Sequence, residues 1–81
     1  METRIAIIAI IVYDSESAEK LNDLLHRYAK HIIGRMGIPY REKNVSVISV
    51  VIDAPDEIIS SLAGKLGMIK NISVKTVYSK V

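Results

Sequence analysis

Two stretches of the chain are apolar at even and odd positions alike. The first runs from Arg4 to Val12 and reads RIAIIAIIV, and the second runs from Val45 to Asp53 and reads VSVISVVID. A strand with one wet face alternates apolar and polar residues, whereas a strand covered on both faces does not. Both stretches are therefore predicted to be central strands of a sheet.

The segment after the first strand predicts a helix. Asp14 and Ser15 are good helix caps, and Glu16 and Glu19 lie where the helix dipole favours acids. From Ala18 onward, apolar residues recur at steps of three and four and form one stripe. This stripe contains Leu21, Leu24, Leu25, Tyr28, Ala29 and Ile32.

A short second strand is predicted over IIGRMGIPY, residues 32–40, because Gly34 and Gly37 interrupt the helical pattern. Pro39 cannot donate a hydrogen bond to a ladder, so this strand is expected at an edge of the sheet. The polar connector Arg41 to Asn44 has the length of a hairpin loop. The second strand should therefore pair antiparallel with the one that starts at Val45.

A second, shorter helix is predicted to start within residues 53–57, with Asp53 as its cap and Pro55 in its first turn, and to end at Gly67. Its apolar stripe contains Ile58, Ile59, Leu62 and Leu66. The last segment alternates Ile72, Val74, Thr76 and Tyr78 with more polar residues. Such alternation is typical of a strand with one covered face, again at an edge.

The resulting order β-α-β-β-α-β predicts an α+β, ferredoxin-like fold, with a four-stranded antiparallel sheet and a single domain over residues 1–81. Right-handed crossovers place the first and third strands at the centre and both helices on one face. The central strands are apolar on both faces, yet the helices can cover only one. We therefore expect another subunit to cover the second face, in a dimer or tetramer assembled through the sheet.

Composition supports burial beyond one monomer's core, since 49% of the 81 residues are hydrophobic and the mean hydropathy is +0.25. Cysteine is absent, which excludes disulfides and thiolate metal sites and is compatible with the cytoplasm, the expected location. The alternative of a signal peptide rests on Arg4 and the apolar run to Tyr13. No small-residue cleavage site follows that run, and it is too short to span a membrane, so no membrane association is expected.

The residues predict no catalytic group, metal or cofactor, so the protein is not expected to be an enzyme. No paired carboxylates or serine–histidine–acid set occur at catalytic spacing, and AGKLG does not match a phosphate-binding loop. His26 and His31 would point about 140° apart on a helix and so would not chelate a metal together. Metal binding across a subunit interface remains an open alternative.

The stretch GRMG suggests a ligand site. Gly34 and Gly37 flank Arg35 on an edge strand whose backbone amides are open, and a guanidinium binds carboxylate or phosphate groups. Together with Asp14 and Ser15 in the first strand-to-helix turn, these residues form the predicted binding site for a small effector. The alternative is that the glycines only end the helix and admit close packing.

The blocks GRMGIPYREKNVSVISVVIDA and DEIISSLAGKLGMIKNISVKTVYSK resemble the small regulators associated with iron-only hydrogenase systems. These proteins are similar to lone ACT-type domains and to the C-terminal sensing domain of the nickel-responsive repressor. The resemblance implies a ferredoxin-like fold, assembly into dimers or tetramers through sheets, and a role in sensing or regulation.

Two departures from these relatives argue against nickel sensing and against amino-acid binding. The nickel-sensing domain uses cysteine and several histidines, and ACT domains that bind amino acids often have a glycine in the turn that is occupied here by residues 13–16. The DNA-binding segment of the repressor has no counterpart, so regulation of transcription would need a partner. Two functions remain: a regulatory oligomer that binds a small effector at a subunit interface, or a structural or protein-interaction module without a small ligand.

Overall fold

The computed structural model describes residues 2–80. Its elements, in order, are β1 (Arg4–Val12), α1 (Ser15–Arg27), β2 (Ile32–Tyr40), β3 (Val45–Ala54), α2 (Asp56–Gly67) and β4 (Ile72–Tyr78). Short 3-10 turns at Ala29–His31 and Arg41–Lys43 precede and follow β2. The expected domain also includes Met1 and Val81, which lie outside the described residues.

The four strands form one antiparallel sheet in the order β2-β3-β1-β4. The long β1–β3 ladder runs from the pair Arg4 and Ala54 to the pair Val12 and Ser46. The two strands with apolar residues on both faces are therefore the central ones, as predicted, and β2 and β4 form the edges. This topology confirms the ferredoxin-like α+β fold.

One face of the sheet carries the core. The buried residues of the central strands alternate along each strand and are Ala6, Ile8, Ile10, Val12, Ile48, Val50, Ile52 and Ala54. Helix residues that share this core are Leu21, Leu24 and Leu25 from α1 and Ile59, Leu62 and Leu66 from α2. Both helices therefore pack on the same face, as the crossover argument requires.

The first helix is shorter than its apolar stripe suggests. It ends at Arg27, and the Tyr28 N–H bonds back to Leu25 and His26 as the chain tightens into a 3-10 turn. Ile32, the last residue of the stripe, begins β2 and still packs against the core. The apolar stripe predicted for α1 therefore includes Ile32 because α1 and β2 both pack apolar side chains against the same core.

The predicted cap of the second helix is wrong. Asp53 stays in β3, exposed and paired with Ile5 of β1, and α2 starts at Asp56 after Pro55. Pro55 occupies the cap position, where its carbonyl accepts from the Ile58 and Ile59 N–H groups. The β1–β3 ladder extends the strand to Ala54. Each further pair in the ladder satisfies backbone N–H and C=O groups, and a helix cap at Asp53 would break those hydrogen bonds.

Within residues 2–80, no helix combines the length and the apolar character needed to span a membrane.

Candidate functional site

The turn between β1 and α1 is built around the Asp14 carboxylate. Asp14 has an extended backbone, and its Oδ1 accepts a hydrogen bond from the Ser17 N–H at 2.7 Å. Its Oδ2 accepts from the side-chain amide of Asn71. Hydrogen bonding from Ser17, above all from its backbone N–H, and then from the Asn71 amide holds the pKa of the Asp14 carboxyl below its ordinary value of 3.8. Asp14 is therefore the helix cap that the sequence predicts, held in its charged form.

The same turn is fastened to the start of β4. The Ser17 hydroxyl, which is buried, donates to the Lys70 carbonyl, and the Tyr13 N–H donates to the Asn71 carbonyl at 2.9 Å. Asn71 has a φ of 60°, a left-handed conformation that asparagine tolerates better than most residues. The turn and the α2–β4 connection thus form one hydrogen-bonded unit.

A cleft of about 510 Å³ opens between this turn and the β2–β3 hairpin. Its walls are formed by Val12, Tyr13, Asp14, Ser15 and Ala18 on one side and by Pro39, Tyr40, Arg41, Asn44, Val45 and Ser46 on the other. The lining therefore combines one carboxylate, one guanidinium and several hydroxyls over an apolar base. This arrangement suits a small polar molecule, and the lining offers no histidine or cysteine for nucleophilic or metal chemistry.

Tyr13 belongs to this cleft and to the opposite side of the sheet at once. Its side chain is 48% exposed, and its hydroxyl shares a hydrogen bond of 2.9 Å with the Ser73 hydroxyl. Ser73 pairs with Ile11 on the helix-free face. A molecule in the cleft and a surface lying on the helix-free face would therefore meet at Tyr13.

The structure separates Arg35 from the first turn. Arg35 pairs with Val50 and Gly37 with Ile48, whereas the cleft begins at Pro39. Arg35 lies four positions before Pro39 on the strand, a distance of about 13 Å. Asp14 and Ser15 thus lie together on the cleft, while the three residues predicted from GRMG lie further along β2. Their role in binding stays a prediction.

A β-bulge sets the direction of Arg35. Ile32 pairs with Ile52 and Gly34 pairs with Val51, so the strand slips by one residue between them. Arg35 then faces the helix-covered side, where its Nη2 donates to the Asn22 Oδ1 at 2.9 Å. Gly34 faces the helix-free side. Bulges re-aim side chains in this way at sheet edges.

The helix-free face of the sheet is apolar and open in the single chain. Along the central strands, the exposed fractions are 47% for Ile5, 44% for Ile7, 37% for Ile11 and 41% for Val47. Met36, Ile38 and Val77 continue this surface onto the edge strands. By register, the charged residues on it are Lys75 and Asp53. This helix-free face is the one for which the sequence predicts an external cover.

The histidines do not form a metal centre within the chain. His26 is exposed on α1, and His31 is half-buried in the 3-10 turn. Among residues 2–80, no group of three or more histidine, cysteine, aspartate or glutamate side chains is placed to hold a metal ion.

Sequence reasoning missed three contributors: Ser17, Asn22 and Asn71. Ser17 lies three positions after the cap, where its N–H is one of the unpaired helix donors. Asn71 precedes the last strand, and an asparagine at such a junction signals a left-handed turn. Asn22 lies on the polar side of the helical pattern, and nothing in the sequence indicates its contact with Arg35.

Comparison with known proteins gives the chain a family. A model of the TM1266-like family, described as "Iron-only hydrogenase system regulator, putative", matches residues 4–76. The structure of the uncharacterized protein TM1266 from Thermotoga maritima matches at 40% identity with a TM-score of 0.94, over 98% of this chain and 100% of that chain. No curated protein matches the chain significantly.

A second solved structure shares the fold alone. A formyltetrahydrofolate deformylase from Pseudomonas putida KT2440 matches with a TM-score of 0.64 at 11% identity, over 90% of this chain but 28% of the enzyme. The family match, in contrast, spans all four strands and both helices at least in part. The chain therefore belongs to the TM1266-like family.

Proposed function

We propose that the protein is a cytoplasmic regulator of an iron-only hydrogenase system that binds a small effector at an interface between two copies of the chain. Membership of the TM1266-like family supports the regulatory role. The observation that carries the effector proposal is Tyr13, because it lines the cleft and also stands on the helix-free face.

The helix-free face is the surface that the second copy covers. Burying an isoleucine side chain contributes about 1.5–3 kcal/mol relative to leaving it in water, and Ile5, Ile7 and Ile11 form a row along the central strand β1. Two identical faces suit each other, since each carries one base, Lys75, and one acid, Asp53. Sheets stack about 10 Å apart, so a second sheet would contact Tyr13 and form a wall of the cleft.

The effector occupies the cleft through Asp14, Ser15 and Arg41. Asp14 offers a negative charge that its hydrogen bonds maintain, and Arg41 offers a positive charge across the cleft. A molecule with both donor and acceptor groups matches this lining better than an apolar one. Binding would be coupled to assembly through the Tyr13 side chain, and no chemical reaction is part of the role.

Two measurements together test this proposal. Light scattering across a dilution series is expected to show a dimer or tetramer at micromolar concentration. A thermal-shift screen of amino acids, nucleotides and metals is expected to give a ligand-specific rise in melting temperature. That rise should shrink in Ser15→Ala and persist in the matched control Ser60→Ala, which changes an exposed serine on α2.

A monomer at every concentration with no response to any ligand would overturn the proposal. The alternative is a protein-interaction module that uses the same exposed apolar face to bind a protein of the hydrogenase system. It predicts a flat thermal-shift screen and a monomer that associates only when that protein is added.

A further inference from the structure

A second depression lies on the helix-covered side of β2, at the opposite end of that strand from the cleft. It has a volume of about 320 Å³ and is lined by Asn22, Leu25, His26, Ala29, Ile32 and Arg35. We call it the Arg35 groove. It shares no lining residue with the cleft at Asp14.

The Arg35 groove has an apolar floor and a basic rim. Its residues from α1 and the turn that follows, 22, 25, 26 and 29, recur at steps of three and four and so line one side of the helix. Leu25 is fully buried, Ile32 is half-buried and Ala29 is exposed, and these three are the apolar residues of the lining. The rim consists of Asn22, His26 and Arg35, and no carboxylate is among the lining residues.

Arg35 is held in place by a neutral group. Its Nη2 donates to the Asn22 side-chain oxygen at 2.9 Å, which uses one of five N–H donors and leaves the charge unmatched. Among residues 2–80, the one ion pair joins Arg4 to Asp56 at 3.6 Å, so Arg35 has no acidic partner there. The bulge at Ile32 and Gly34 turns Arg35 to the side of this groove, where the exposed hydrogen bond to Asn22 orients its guanidinium.

The groove favours a single carboxylate over a phosphate. A single guanidinium matches a carboxylate through two parallel hydrogen bonds. A phosphate group carries up to two negative charges and prefers several donors. The groove lies along the last turns of α1, where the negative end of the helix dipole opposes the single charge of a carboxylate less than the larger charge of a phosphate. Its volume is at the lower end of the range for ligand pockets, and its floor matches a short hydrocarbon chain.

We propose that the Arg35 groove binds a small amphipathic carboxylate, with the carboxylate on Arg35 and the apolar chain over Leu25, Ala29 and Ile32. This site is independent of the effector cleft and of assembly through the helix-free face. It gives Arg35 a ligand of defined chemistry, separate from Asp14 and Ser15.

Hexanoate is a suitable probe, titrated into the ¹⁵N-labelled full chain and followed by two-dimensional amide NMR. Amide signals of residues 22–35 are expected to shift, with millimolar affinity. Arg35→Gln is expected to weaken binding about tenfold or more, because it removes the charge while keeping a hydrogen-bonding side chain. The matched control Arg27→Gln, an exposed arginine of α1 outside the lining of the groove, is expected to leave the affinity unchanged.

Hexanamide and inorganic phosphate complete the test. Both are expected to bind much more weakly than hexanoate, the first because it lacks the charge and the second because it lacks the chain. Equal binding of hexanamide or phosphate, an unchanged affinity in Arg35→Gln, or shifts confined to the helix-free face would each overturn the proposal. The spectra also report folding, so a loss of binding is separable from a loss of structure.

Discussion

The two faces of the central strands have nearly the same side chains and opposite surroundings. On β1, Ala6, Ile8 and Ile10 are buried under the helices, whereas Ile5 and Ile7 are close to half exposed on the other side. Hydrophobicity alone does not separate Ile7 from Ile8. The elements lying above each face decide the difference, and within residues 2–80 both helices pack on the same face.

An apolar residue in a central strand is therefore not necessarily buried within its own chain. A single domain of this size has too few helices to cover two sheet faces. The surplus apolar positions then indicate a surface for association.

The largest effect is expected from truncating the covered face. Ile8→Ala should lower the free energy of unfolding by about 2–5 kcal/mol, because it leaves a cavity under α1 and α2. Ile7→Ala should lower it by no more than about 1 kcal/mol in the dissociated chain, since it loses contacts with Val51 and Val77 across the sheet and none in the core. Urea denaturation at low protein concentration measures both. Equal losses for the two variants would show that the faces are energetically alike.

Charge on the helix-free face should disrupt assembly and leave the fold intact. Ile7→Glu is expected to weaken self-association about a hundredfold or more, because it puts an unpaired carboxylate into the apolar contact of both copies. Ser60→Glu, on the exposed side of α2, is the control and should associate normally. Light scattering gives the association constant, and circular dichroism checks the fold. Unchanged association of Ile7→Glu would place the interface elsewhere.

The smallest expected effect is a change in melting temperature on substituting Asp14, in the turn between β1 and α1. Because the folded pKa of Asp14 lies below its ordinary value of 3.8, its charged form stabilises the fold above that value. This stabilisation is lost as the pH falls through the lowered folded pKa. Asp14→Asn should therefore lower the melting temperature slightly at pH 7.

The difference between wild type and Asp14→Asn should shrink as the pH falls from about 4 to 2, near the ordinary pKa of aspartate. Asp23→Asn, an exposed substitution on α1, is the matched control. Thermal unfolding followed by circular dichroism across this pH range provides the measurement. A difference that stays constant with pH would contradict the role assigned to the Asp14 charge.

The candidate site was predictable where the chemistry is local. Asp14 and Ser15 were identified because a cap depends on residues a few positions apart, and they lie on the cleft. Arg35 was identified as an available cation, but its direction depends on the bulge between Ile32 and Gly34. Strict alternation from Ile32 would have placed Arg35 on the helix-free face. No local signal marks that slip, since it is set by pairing with β3.

The sequence by itself determined the order of elements, the central position of β1 and β3, and the bounds of all four strands to within one residue, because hydrophobic period and turn chemistry act over short distances. Only the tertiary structure decided that Asp53 remains in a strand, that Asn71 and Ser17 hold the first turn, and that Arg35 lies with Asn22 rather than with Asp14. These outcomes depend on which backbone groups pair across the sheet, and that pairing joins residues far apart in the chain.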